Sequence, residues 1–146
     1  MELGPVWEQW GLVGLFLGTF LAATLLPLSS EALLAVMAMG PWPTLTLLGV
    51  ATAGNWLGGM STYAIGRWGA QGRLGRWVGL DSPRAQAWAK RAQRHGPWLA
   101  WLCWAPLVGD LIAAALGLFK APVGWTALWM FAGKLARYAV VLAVLR

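Results

Sequence analysis

The sequence predicts an all-α polytopic membrane protein: three transmembrane helices and two re-entrant, Pro/Gly-broken hairpins in an inverted repeat, with one cytoplasmic amphipathic surface helix. Three observations carry that expectation. Of 146 residues, 59% are hydrophobic and only 11% are charged, whereas an ordinary soluble domain carries about a quarter charged residues. The apolar residues fall in long uncharged stretches, 9–30, 32–66, 96–109, 111–119, 121–133 and 139–145. The net charge of +6 is concentrated: residues 67–95 hold seven cations against one acid, and the rest of the chain is neutral, with four charges of each sign.

That concentration argues against nucleic acid as a partner. The isoelectric point near 10.5 invites the idea, but a polyanion needs a broad solvated basic surface, and this chain has little solvated surface of any kind. Glu2 and Glu8 stand where a cleaved signal peptide has its basic region, so the first apolar segment is expected to be retained. The single cysteine, Cys103, forms no intrachain disulfide and reads as a small buried hydrophobe.

A helix needs about 20 residues to cross about 30 Å of hydrocarbon. Trp7 to Leu26 is a full span, anchored at the interface by Trp7 and Trp10 and stopped by Pro27. Pro43 to Gly66 is a second, ending at Arg67-Trp68, and Pro122 to Leu145 is a third. Between them, Pro27 to Gly40 is too short to cross, and Pro97 to Phe119 is interrupted by Pro106, Gly109 and Asp110. Short or broken apolar pieces with an acid inside are the pattern of re-entrant hairpins, whose irregular backbone survives at membrane depth only where protein or a water cavity satisfies it. In the basic connection, Asp81-Ser82-Pro83 is a helix start and His95-Gly96-Pro97 a stop. Ala85, Trp88, Ala89 and Ala92 share one face of that helix, and Arg84, Lys90, Arg91 and Arg94 lie on the others, which suits a membrane surface rich in anionic headgroups.

The chain also repeats itself at an offset of 79. Pro27 and Glu31 fall on Pro106 and Asp110, Ala35 on Ala114, Pro43 on Pro122, and Ala53-Gly54-Asn55 on Ala132-Gly133-Lys134. Repeat unit 1 covers about 24–66, a basic linker 67–96, and repeat unit 2 about 97–145. By the positive-inside rule the linker is cytoplasmic. Because the linker does not cross, the two spanning helices run in opposite directions and the repeat is inverted. The N-terminus is then cytoplasmic if the first hairpin returns to the outer face; if 97–119 crosses fully, the inversion is lost.

Four ionisable residues fall inside the membrane: Glu31, Asp110, Lys134 and Arg137. Each costs about 2.5 to 3.5 kcal/mol at a helix centre, so they must pair or meet water. Lys134 and Arg137 lie three apart on one helix face with Tyr138, and the two acids sit in the two hairpins. One reading is a polar site that binds an anionic headgroup through Lys134 and Arg137, with Glu31 or Asp110 taking up protons. The other is a static ion-pair network that holds the broken helices. Gly54, Gly58, Thr62 and Gly66 form a small-residue ridge for helix packing, and Asn55 beside it is a hydrogen-bonding candidate. Pro27, Pro106 and Gly109 shape the hairpins. His95 is placed as a dipole partner at a helix C-terminus. No metal-ligand spacing, nucleophile arrangement or phosphate loop is present, since Gly69-Ala70-Gln71-Gly72 lacks both a preceding strand and a Gly-Lys-Ser/Thr. The expectation is therefore a non-enzymatic protein with no cofactor and no metal.

Three stretches carry a family resemblance: Ala22 to Glu31 (AATLLPLSSE); Ala53-Gly54-Asn55 with Gly58 and Tyr63 to Arg67; and His95-Gly96 with Pro106 to Asp110. Together they resemble the DedA family, also called the SNARE-associated Golgi or VTT-domain family, and within it the small YqaA-type bacterial inner-membrane branch. The resemblance runs from about Phe20 to Tyr138. It implies opposed re-entrant hairpins and movement of lipids across bilayers, including undecaprenyl phosphate recycling dependent on the proton motive force in bacteria and phospholipid scrambling in eukaryotic relatives. Glu31 matches the acid of the family's first hairpin. Many members carry arginine three residues before and three after the proline matching Pro106; here those positions are Cys103 and Gly109. Lys134 and Arg137 then supply positive charge from the neighbouring helix.

The sequence thus points to a bacterial inner-membrane lipid translocase or scramblase whose partners are membrane lipids, an anionic headgroup or polyprenyl phosphate, with a homo-oligomer left open. A small proton- or cation-coupled transporter and a non-transporting membrane organiser are the alternatives.

Overall fold

Proline, glycine and short polar side chains set the helix boundaries. The computed structural model of the chain describes residues 5–24, 29–72, 82–105 and 108–145. Among them are six α-helices, one 3₁₀ helix and no strand. Helix α1 (Pro5–Ala22) opens on a proline, whose missing N–H is unneeded in a first turn. It ends sooner than the expected Leu26, in a turn at Ala23-Thr24, where the Thr24 hydroxyl donates to the Leu21 carbonyl at 2.6 Å and competes with continuation of the helix.

Helix α2 (Ser30–Ala38) is capped by Ser29, whose Oγ accepts the Ala32 N–H at 3.2 Å, and it carries Glu31 in its first turn. An acid there suits the positive end of the helix dipole. Gly40, Pro41 and Pro43 then break the chain before α3 (Thr44–Gln71). The part of the first expected hairpin that is described is thus a nine-residue helix followed by a sharp break.

The expected end of the second span at Gly66 is corrected: α3 continues through Arg67-Trp68 to Gln71, 28 residues in all. Arg67 does not stop it, because its Nη1 donates to Tyr63 Oη at 2.9 Å and to the Ala121 carbonyl at 3.3 Å. The expected stop at His95-Gly96-Pro97 is also corrected. Helix α4 (Pro83–Leu99) begins at the predicted proline but runs through Gly96-Pro97 to Leu99 and passes directly into the 3₁₀ helix Ala100–Trp104. A proline in a helix forfeits one backbone bond. Gly96 offsets that by close contact, since a Cβ there would lie 3.1 Å from Ala121 Cβ and 3.2 Å from Leu116 Cδ2. His95 is therefore mid-helix and exposed rather than at a helix end. Ala92 is buried while Arg84, Lys90, Arg91 and Arg94 are exposed, as the expected amphipathic face requires.

After the 3₁₀ helix come α5 (Val108–Leu118) and α6 (Val123–Leu145). The turn between them is a Schellman motif, with Lys120 N–H donating to Gly117 O at 3.0 Å and Ala121 N–H to Leu116 O at 2.9 Å. Lys120 occupies the left-handed position, φ 56°. Among the described residues, α6 is the helix that is both long and apolar enough to cross a membrane by length and composition, with α1 and α5 contributing shorter apolar stretches. Helix α3 is long enough at about 1.5 Å per residue, but Gly, Ser, Thr and Asn lower its hydropathy. Pro27, Pro106 and the Asp81 cap lie outside the described residues.

The packing is built on glycine. On α3, Gly54 and Gly58 abut the Phe16 and Phe20 carbonyls of α1, leaving no room for a Cβ, and Gly66 likewise abuts the Ala114 carbonyl of α5. The single ridge foreseen on this helix therefore serves two partners. Contacts between α1 and α3 advance together along both helices (Phe16 with Gly54, Phe20 with Gly58, Ala23 with Thr62), so these two run parallel. Helix α6 runs antiparallel to α3, because Trp56 Nε1 donates to Ala127 O at 2.9 Å while Ala51 shares a core cluster with Tyr138 and Leu142.

The offset of 79 recurs in this geometry. The starts of α1 and α4, α2 and α5, and α3 and α6 lie 78, 78 and 79 residues apart. Two core clusters lie at opposite ends of the α3/α6 pair, and Leu34, Met37, Ala51 and Leu142 of the first correspond to Ala113, Leu116, Met130 and Tyr63 of the second.

Candidate functional site

Where α3 and α6 cross, the two residues 79 apart meet: Lys134 Nζ donates to Asn55 Oδ1. Asn55 Nδ2 in turn donates to the Thr19 carbonyl of α1 at 3.0 Å. Only one orientation of the amide serves both partners, since an ammonium needs an acceptor and a carbonyl needs a donor. Lys134 Nζ also lies 3.8 Å from Asp110 Oδ1 in the first turn of α5. Its side chain is 1% exposed and that of Asp110 19%. Thr19, Asn55, Lys134 and Asp110 thus join α1, α3, α6 and α5 in one buried polar chain. Gly59 is where α3 makes room for the lysine stem: a Cβ there would lie 3.0 Å from Lys134 Cε.

One helical turn further along α6, Arg137 forms an ion pair with Glu31. Its Nη2 donates to Ser30 Oγ at 2.7 Å, its Nη1 to the Trp104 carbonyl at 3.3 Å, and its guanidinium carbon lies 4.9 Å from the centre of the Tyr138 ring. Arg137 therefore ties α2 and the 3₁₀ helix to α6. Its Nε is buried and meets no acceptor among the described residues. The side chains of Arg137 and Glu31 are 10% and 32% exposed, and both line a cavity of about 470 Å³ with Trp101, Trp104, Val140 and Val141.

The four intramembrane charges that the sequence singles out are brought together as two opposite pairs on one face of α6, and Asn55 joins them. Gly54, Gly58 and Gly66 lie away from the charges as packing residues. Gly109 packs against the Cys103 carbonyl, leaving no space for a side chain, and so sets the closeness of the 3₁₀ helix to α5. Cys103 is buried with a free thiol. Sequence reasoning passed over Ser30, Trp101 and Trp104. Ser30 was readable, because Ser-Ser-Glu is a helix start that fixes one serine as the cap and turns the next inward. Trp104 contributes its carbonyl, which no residue pattern reveals. No group of three or more potential metal ligands occurs among the described residues.

No protein-family model and no solved structure matches the chain. It is 35% identical over 140 residues to the inner membrane protein YqaA of Escherichia coli strain K12, covering 93% of this chain and 92% of that one, and it matches the Shigella flexneri protein of the same name to the same extent. An uncharacterised protein of Haemophilus influenzae is 33% identical over 146 residues, covering 93% of this chain and 88% of that one. A third of the residues shared along nearly the whole length of both partners, with an all-helical fold and an apolar composition, makes this an integral inner-membrane protein, and the chain belongs to the YqaA-type family.

Proposed function

We propose that this protein moves an anionic lipid or polyprenyl phosphate across the inner membrane, as a member of the wider DedA (VTT-domain) family, with the Arg137–Glu31 pair as the headgroup site. The observation that carries the reading is the guanidinium itself. It is held on three sides, keeps one N–H without an acceptor among the described residues, and borders an apolar cavity flanked by two tryptophans. Arginine suits phosphate because its fork offers several donors at once, and Trp101 and Trp104 suit the boundary between headgroup and acyl chain. Glu31 holds the guanidinium in place between ligands, and its protonation releases the arginine to a phosphate, which couples lipid binding to a proton.

In this reading α3 and α6 cross the bilayer. Helix α1, expected from the sequence as a full span, descends parallel to α3 and α2 returns along it, with Leu33 against Gly18 and Trp42 against Gly11. Thus α1 with α2 forms one re-entrant limb and the Asp110-bearing segment the other, residues 67–96 face the cytoplasm, and the halves form an inverted repeat. The antiparallel α3 and α6, with Asn55 meeting Lys134 at their crossing, support that arrangement. The near-complete burial of Lys134 favours a structural role for its pair with Asp110, so the two charge pairs divide the labour: one holds the halves together and the other binds.

The test is lipid movement in proteoliposomes, followed by quenching of a fluorescent headgroup from one side. Movement above protein-free vesicles, stimulated by a pH gradient and reduced at least tenfold by Arg137→Gln in protein that remains folded, is expected. Movement no faster than in protein-free vesicles, with and without the gradient, overturns the proposal; proton flux without lipid identifies a small ion transporter instead.

A further inference from the structure

A second cavity, of about 360 Å³, lies between α4 and α5, within the size range of small-ligand sites. Its floor is Leu99, Ile112, Ala115 and Phe119, and Arg91 and His95 line its α4 side. Both basic side chains are exposed, as are Lys90 and Arg94 on the same helix. The matching seam in the first half of the chain holds an aromatic ring. There the Trp42 indole lies against Gly11 and Gly40, between α1 and the end of α2. The residue 79 positions beyond Trp42 is Ala121, so the second half has a methyl group where the first has an indole.

We propose that this seam seats one acyl chain of an anionic phospholipid, with its phosphate held by Arg91 and His95. The apolar trough under a basic helix matches the two parts of such a lipid, and charge complementarity selects an anionic over a zwitterionic headgroup. Arg91 and His95 are one turn apart on α4 and both line the trough. The site is separate from the Arg137 cavity and requires only that the chain be embedded in a membrane. A lipid there fastens the surface helix to α5, and through Asp110 on α5 it steadies the second charge pair.

The experiment is native mass spectrometry of the full chain in detergent, titrated with phosphatidylglycerol or phosphatidylcholine of identical chains, in an Arg137→Gln background so that the other cavity does not contribute. One phosphatidylglycerol per chain is expected to be retained, at least fivefold more tightly than phosphatidylcholine. Arg91→Gln with His95→Gln should remove that preference, about fivefold for the lost arginine charge, and Ala115→Phe, which fills the trough, should weaken both lipids. Helical content by circular dichroism confirms that each variant is folded, with Ala115→Leu replacing the phenylalanine if needed. Equal affinity for the two lipids, or unchanged phosphatidylglycerol binding with the trough filled, overturns the proposal.

Discussion

Replacing Lys134 with methionine keeps the length of the side chain and deletes its charge. The ammonium is 1% exposed, bonded to Asn55 and 3.8 Å from Asp110, so Lys134→Met strands two groups. Breaking a buried ion pair costs about 3 to 5 kcal/mol; because the Asp110 side chain is 19% exposed, the lower end applies, about 3 kcal/mol including the unpaired Asn55 oxygen. Asp110→Asn alone leaves a buried ammonium with neutral partners and costs about the same. The double variant holds no uncompensated charge, so its cost is also about 3 kcal/mol rather than about 6, a coupling energy of about 3 kcal/mol, at the upper end for contacting residues. Reversible unfolding in mixed micelles of rising SDS fraction, followed by tryptophan fluorescence, measures all four corners of the cycle. Additive single costs, within about 0.5 kcal/mol, would refute the claim that Lys134 and Asp110 are partners.

Other perturbations test separate parts of the structure. Glu31→Gln should abolish the pH dependence of lipid movement and leave the chain abundant and folded, because its carboxylate is 32% exposed and Arg137 keeps Ser30 and Trp104 as partners; vesicle flux at two pH values checks this. Gly58→Leu should cost at least about 3 kcal/mol by forcing α1 off α3, whereas Gly49→Leu, where a Cβ meets nothing within 4 Å, should stay within about 1 kcal/mol; thermal melting in detergent separates them. Lys120→Gly should stabilise the fold by up to about 1 kcal/mol, since φ 56° costs a lysine what it does not cost a glycine.

Much of the architecture is legible because the bilayer makes it so. Helix α6 announces itself by an apolar run opened by Pro122, and the break before α3 by Pro41 and Pro43. What escapes is whatever depends on a distant partner. Arg67 looks like a helix stop until Tyr63 Oη and the Ala121 carbonyl are seen to receive it. Gly96-Pro97 looks like another until Gly96 is found close against Ala121 and Leu116. The sign balance of the four intramembrane charges is plain in the sequence, but two pairings satisfy it equally, and only the placement of α2 and α5 against α6 selects Glu31 with Arg137 and Asp110 with Lys134. The offset of 79 shows in prolines and acids; its extension to α1 and α4 does not, since one is apolar and the other basic and they share no register of residue types.

Both cations of the core belong to α6, and the corresponding positions on α3 are Asn55 and Gly58. The two halves, alike in element order, are therefore unlike in charge. Each acid-bearing segment is tethered to the same helix, so α2 and α5 cannot exchange places by a simple two-fold swap of partners. Of the two charge pairs, Arg137 and Glu31 line a cavity, whereas Lys134 is enclosed by Asn55, Gly59 and Asp110; if the chain moves lipid as proposed, opening begins at the first pair. On the proposed function, a negatively charged headgroup entering beside Trp104 competes with Glu31 for the guanidinium. On that proposal, the asymmetry of charge between the halves makes the first segment the moving part and the second the fixed one.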